Sequence, residues 1–181
     1  MTRELHALFH LIRIRSTYRE ETMADTIEEI RAIVARTLDW EEAHATFDKS
    51  VANFPAHLRG QRPPNFPHSG WELVEHIRIA QEDLADFMER ADYHQYKWPD
   101  EYWPTSPEPP SDTAWEASVA QVKRDREHIK EIAIRPSIDL IARIPWGTGQ
   151  TYLRTILVAV DHTAYHVGQI IAVRKLLGAW P

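Results

Sequence analysis

Two histidines four residues apart, His162 and His166, stand in Asp161-His162-Thr163-Ala164-Tyr165-His166-Val167-Gly168-Gln169, inside a long stretch that reads as uninterrupted helix. Helix positions i and i+4 share a face with Cβ atoms about 5–6 Å apart, so two imidazoles at this spacing can converge on one divalent ion. Alone the pair is a weak pattern, since histidines at helical spacing also serve as core residues whose ring N–H groups find backbone or side-chain partners. A third ring strengthens it. His76 lies where Leu73, Ile77, Ala80, Leu84 and Phe87 recur every three or four residues, the mark of an amphipathic helix. It is three after Leu73 and four before Ala80, which puts it on or beside the buried face.

In the last helix, Tyr152, Ile156, Ala159, Thr163, His166, Ile170, Val173 and Leu177 form one inward stripe, with His162 near its edge. Two helices can thus present three imidazoles to one interior point. Three neutral nitrogens suit zinc, nickel, copper or iron better than magnesium or calcium, which prefer oxygen. With only three protein ligands, a tetrahedral or octahedral ion keeps positions for water or substrate, which separates a working site from a closed structural one.

A histidine following Ser69-Gly70-Trp71-Glu72, combined with His162-Thr163-Ala164-Tyr165-His166-Val167-Gly168-Gln169, resembles the DinB-like (YfiT-like) four-helix metalloproteins from near Asp25 to near Gly178. The resemblance implies a divalent metal held by His76, His162 and His166, with water completing the shell; zinc and nickel are the first expectations. It also implies an up-down-down-up bundle, often a homodimer. Characterised members include thiol-dependent S-transferases and a mycothiol-dependent isomerase, and most members have no assigned reaction.

Ligating histidines normally donate their second N–H to a carboxylate, carbonyl or water. Glu72, Asp161 and Gln169 are the nearby candidates for that task, although Glu72 also has a capping explanation and Asp161 one as a solvated helix residue. His44, expected to share a helix face with Trp40, Phe47 and Val51, is a candidate proton carrier lining the pocket, against the plainer reading of a partly buried, satisfied histidine. His6, His10, His57, His68, His94 and His128 fall in the N-terminal stretch, loops or outer faces. The seven tryptophans read first as packing and second as an apolar substrate pocket.

Composition narrows the classes. At 181 residues and 43% hydrophobic, the chain suits one domain with a real core. A net charge of −6 with no basic stripe argues against nucleic-acid binding. There is no cysteine, so any thiol in the chemistry must come from a small-molecule cosubstrate. No run approaches the ~18 apolar residues that span a bilayer, and the apolar start from Leu5 to Ile14 is interrupted by His6, His10 and Arg13. A cytoplasmic protein free of membrane is expected. The Gly-x-Ser-x-Gly elbow, a phosphate-cradling glycine loop and the His-Glu-x-x-His motif are missing, as are the Glu-x-x-His pairs of a di-iron bundle.

The elements that must position these residues form an all-α, four-helix up-down-down-up bundle. Residues 1–22, basic through Arg3, Arg13, Arg15 and Arg19, read as an N-terminal extension or as an added helix at a dimer contact, and 23–181 as the bundle domain. Asp25-Thr26-Ile27-Glu28 is a capping box opening a helix from Asp25 to Asn53, with Ile27, Ile30, Val34, Leu38, Phe47 and Val51 inward, closed by Pro55. Ser69 and Glu72 open the second helix, to about Ala91. From Tyr93 to Ser111 the prolines and aromatics predict a long crossover pressed against the bundle, with a lid as the lesser reading. The third helix starts at Ser111 or Asp112 and ends before Pro136. A short extended piece spans Ser137 to Trp146, and Gly147-Thr148-Gly149 turns into a last helix ending at Gly178. The function expected is a metal-dependent enzyme acting on a small molecule, by thiol transfer or hydrolysis; the alternative is a non-catalytic metal- or ligand-binding stress-response protein.

Overall fold

Side-chain caps start each of the long helices. Ser69 Oγ accepts from Glu72 N–H while the Glu72 carboxylate accepts from Ser69 N–H, a reciprocal capping box. Ser111 and Thr151 do the same work singly for Ala114 and Arg154 N–H. The computed structural model describes residues 25–180, and these form an all-α arrangement. The helices are α1 over 25–37, α2 (Phe47–Val51), α3 (Gly70–Glu89), α4 (Asp112–Ile134) and α5 (Tyr152–Leu176). Beyond Leu176, Gly178 takes a left-handed φ of 70°, which lets Ala179 N–H return to the Arg174 carbonyl and end the helix.

The single first helix expected from Asp25 to Asn53 is corrected: residues 38–46 are not helical. Leu38 and Asp39 N–H groups already reach back only three residues, the tightening that ends a helix. Thr46 then caps α2 by accepting from Lys49 N–H. Ion pairs from α4 hold both sides of the break, Lys130 to Asp39 and Arg126 to Asp48, the latter at 2.6 Å. Val34, Leu38, Phe47 and Val51 are buried as expected, whereas Ile27 and Ile30 are exposed. The extension over residues 1–22 and Met23 lie outside the described residues.

α3 packs against α4 and α5, and α2 against α5. The core falls into two apolar halves. One gathers Phe47, Leu73, Val74, Ile77, Trp115, Val122, Val167 and Ile170; the other Leu38, Met88, Ile129, Ile132, Ile144, Ile156 and Ala159. Each fully buried side chain of this size contributes on the order of 1.5–3 kcal/mol. A polar layer lies between the halves along α3 and α5, where Gln81 Nε2 donates to Thr163 Oγ1 at 3.0 Å with both residues buried. α5 is also long and apolar enough to cross a membrane by composition, with a mean hydropathy of 1.3 over 18 residues. Its buried Ile156, Ala159, Val167, Ile170 and Val173 face the bundle, as a core helix requires.

The proline-rich crossover lies against the bundle. Tyr93 and Tyr102 hydroxyls both donate to Asp83 of α3, a short 3-10 turn covers Asp100–Tyr102, and Ser69 Oγ donates to the Pro107 carbonyl. In place of an extended piece, residues 137–146 form turns with one isolated antiparallel bridge, Arg143 to Thr151.

Candidate metal centre

The second turn of α3 carries His76, and the middle of α5 carries His162 and His166. Packing of α3 on α5 brings them together: one nitrogen from each ring lies within 4.8 Å of the others. Ring centroids are 4.7 Å apart for His76 and His162, 4.6 Å for His76 and His166, and 4.4 Å for His162 and His166. His76 is 2% and His166 6% exposed, with His162 half-buried.

Hydrogen bonds on the far side of two rings decide where their protons sit. His76 Nδ1 lies 2.8 Å from the Tyr102 carbonyl oxygen, and His166 Nδ1 lies 2.7 Å from Gln169 Oε1. A carbonyl oxygen only accepts, so each Nδ1 carries the proton and each neutral ring keeps Nε2 as a free lone pair. Gln169 in turn donates through Nε2 to the Tyr165 hydroxyl at 3.2 Å. His162 Nε2 sits 2.9 Å from His76 Nε2.

Burial also keeps the rings neutral. It lowers His162 to about 3, with like-charge repulsion from His166 and His76 adding to the effect. Burial likewise brings His166 down to about 4, helped by His76 and opposed by the Gln169 bond. His76 is lowered by burial too, against the opposing bond to Tyr102. Neutral imidazole is the form that ligates a metal.

Aromatic side chains from the crossover wall the site. Trp103 stacks on His76 at 3.8 Å with planes 5° apart, and on His68 at 4.2 Å and 10°. Trp98, 65% exposed, tilts toward His76 at 6.3 Å, and Tyr165, 64% exposed, meets His166 edge-on at 5.0 Å. His68, expected in a loop away from the site, lies in this stack; the density of aromatics between prolines signals that Tyr102 and Trp103 pack, but it does not say which ring docks.

The other candidates are placed as follows. Gln169 bonds His166. Glu72 does not bond an imidazole: its carboxylate takes the Arg62 guanidinium and the Ser69 N–H, and although burial alone would raise its pKa, these partners hold it below the ordinary value. Asp161 is exposed, with no hydrogen bond to the three rings. His44 lies in the non-helical stretch, exposed, with Nδ1 2.9 Å from the Ala45 carbonyl oxygen, and it is outside the triad. A groove of about 550 Å³ beside His57, Gly60, Gln61, Glu108 and Asp112 shares no residue with the triad.

A family model described as the DinB superfamily matches residues 39–170, a span that contains all three histidines. No curated protein and no solved structure matches the chain.

Proposed function

The chain belongs to the DinB superfamily, and on that premise we propose that it is a metalloenzyme holding one divalent transition-metal ion, zinc or nickel, through His76, His162 and His166. The observation that carries this reading is the convergence of three rings kept neutral by burial, two of them with their protons held outward by Tyr102 and Gln169. A shared cation would take these nitrogens as ligands in place of the contact between His162 Nε2 and His76 Nε2. An ion bound there supplies Lewis acidity that favours the deprotonated form of a water or thiol nucleophile.

The protein's own residues supply the rest. Tyr102 and Gln169 orient ligand rings, and Trp103 covers one face of His76. Trp98 and Tyr165 are exposed beside the ligands and offer apolar surface to a small-molecule substrate. Because the chain has no cysteine, thiol transfer needs a low-molecular-weight thiol as cosubstrate, and hydrolysis needs only water. The groove beside His57 and Asp112, which lies apart from the triad, favours a second reading, in which the ion fastens α3 to α5 in a non-catalytic ligand-binding protein.

Metal content of the purified protein tests the site. His166→Ala should lose the ion while keeping its helical circular dichroism, and undiminished occupancy would sink the assignment. Turnover screens with thiols and electrophiles, and with hydrolysable esters and amides, then separate enzyme from scaffold; metal retained without turnover selects the scaffold.

A further inference from the structure

Asp83 lies seven residues after His76 on α3, two turns along the same face and about 10 Å along the axis. It is 8% exposed, and its carboxylate accepts from Tyr93 Oη at 2.8 Å and from Tyr102 Oη at 2.7 Å, one phenol per oxygen. No Lys or Arg of the described residues forms an ion pair with it. A buried carboxylate without a cation is costly unless its oxygens are well satisfied, and charge-assisted bonds from hydroxyls are the means used here. Burial and the Asp83 carboxylate push both phenols well above their ordinary pKa, so both remain donors.

Tyr102 therefore touches α3 twice. Its phenol reaches Asp83, and its main-chain carbonyl takes the proton of His76 Nδ1. Trp103, the next residue, lies flat on the His76 ring. We propose that Asp83 is a positioning residue for the triad, clamping the crossover through Tyr102 and Tyr93 so that the Tyr102 carbonyl holds His76 with Nε2 turned toward His162. The proposal rests on the metal reading for its consequence, though the clamp itself is a statement about His76. Without the clamp, the carbonyl moves off Nδ1 and the ring is free to exchange tautomers. His166 takes its orientation from Gln169 on its own helix and serves as an internal control.

The test uses full-length protein labelled with ¹⁵N at histidine. Long-range ¹H–¹⁵N correlation spectra of the metal-free protein report which nitrogen of each ring is protonated, and zinc affinity is measured by competition with a chelator of known strength. Wild type should show His76 protonated at Nδ1. Asp83→Ala and Tyr102→Phe should give a tautomer mixture at His76, leave His166 as in wild type, and weaken zinc binding about 10- to 100-fold. Tyr93→Phe should do the same to a smaller extent, and Asp83→Glu should restore part of the loss. Should Asp83→Ala fail to fold, Tyr102→Phe decides, since it removes one hydroxyl and keeps the ring. An unaltered His76 tautomer with wild-type zinc affinity in Tyr102→Phe overturns the clamp. A wild-type protein that takes up neither zinc nor nickel defeats the metal reading instead, and the tautomer spectra then judge the clamp alone.

Discussion

On α5, His166 is oriented by its own helix, because Gln169 stands three residues on and reaches back to Nδ1. On α3, His76 is oriented by chain 26 residues away, through the Tyr102 carbonyl and the stacked Trp103 of the crossover. The α5 arrangement needs only a helix. The α3 arrangement exists only after a loop has docked, so its geometry is coupled to tertiary stability. One half of the candidate site is thus set locally and the other by the fold.

The most severe way to stress this comparison is acid. In the unfolded chain the histidines titrate near 6.5, whereas in the fold His166 titrates at about 4 and His162 at about 3. Between these values the unfolded chain binds more protons, so stability is full above about pH 6.5 and falls as pH drops toward 4, by up to about 1.4 kcal/mol per pH unit for each ring. Chemical denaturation of metal-free protein across pH 4–7 should show that slope. A flat profile would mean the rings are not held neutral.

Next in size is Trp103→Ala, which strips the stacked cover from His76 and His68. It should cost about 2–3 kcal/mol in thermal or urea unfolding, and speed proteolysis between Tyr93 and Ser111. Cleavage no faster than wild type would show that the crossover does not depend on this ring. Gln169→Leu is the mildest: it removes one orienting acceptor while leaving the helix intact, with metal affinity falling about 10-fold and melting temperature unchanged. If the melting temperature falls as far as in Trp103→Ala, the local and docked halves are not distinct.

What could be read from the sequence follows the same division. The Ser69–Glu72 capping box, the spacing of His162 and His166, and the position of His76 on an apolar face are all local patterns, and the structure brings the three rings together. The break at residues 38–46 carries no proline or glycine, and the apolar period runs on through Leu38 and Phe47. Ion pairs from α4 hold both flanks of the break, contacts that a helical pattern along one segment cannot show. Ile27 and Ile30 have the right period for the core but are exposed. The crossover was recognisable as a packed segment from its composition; that Tyr102 offers its carbonyl and Trp103 its face is a product of docking.

The amide of Gln81 and the hydroxyl of Thr163 meet in the layer between the two apolar halves, next door in sequence to His162. Sliding α3 by one turn against α5 would move it about 5.4 Å and strand both groups among hydrocarbon. This single bond therefore works as a vernier mark, allowing one longitudinal alignment of the rods, the same alignment that lets His76 meet its two counterparts.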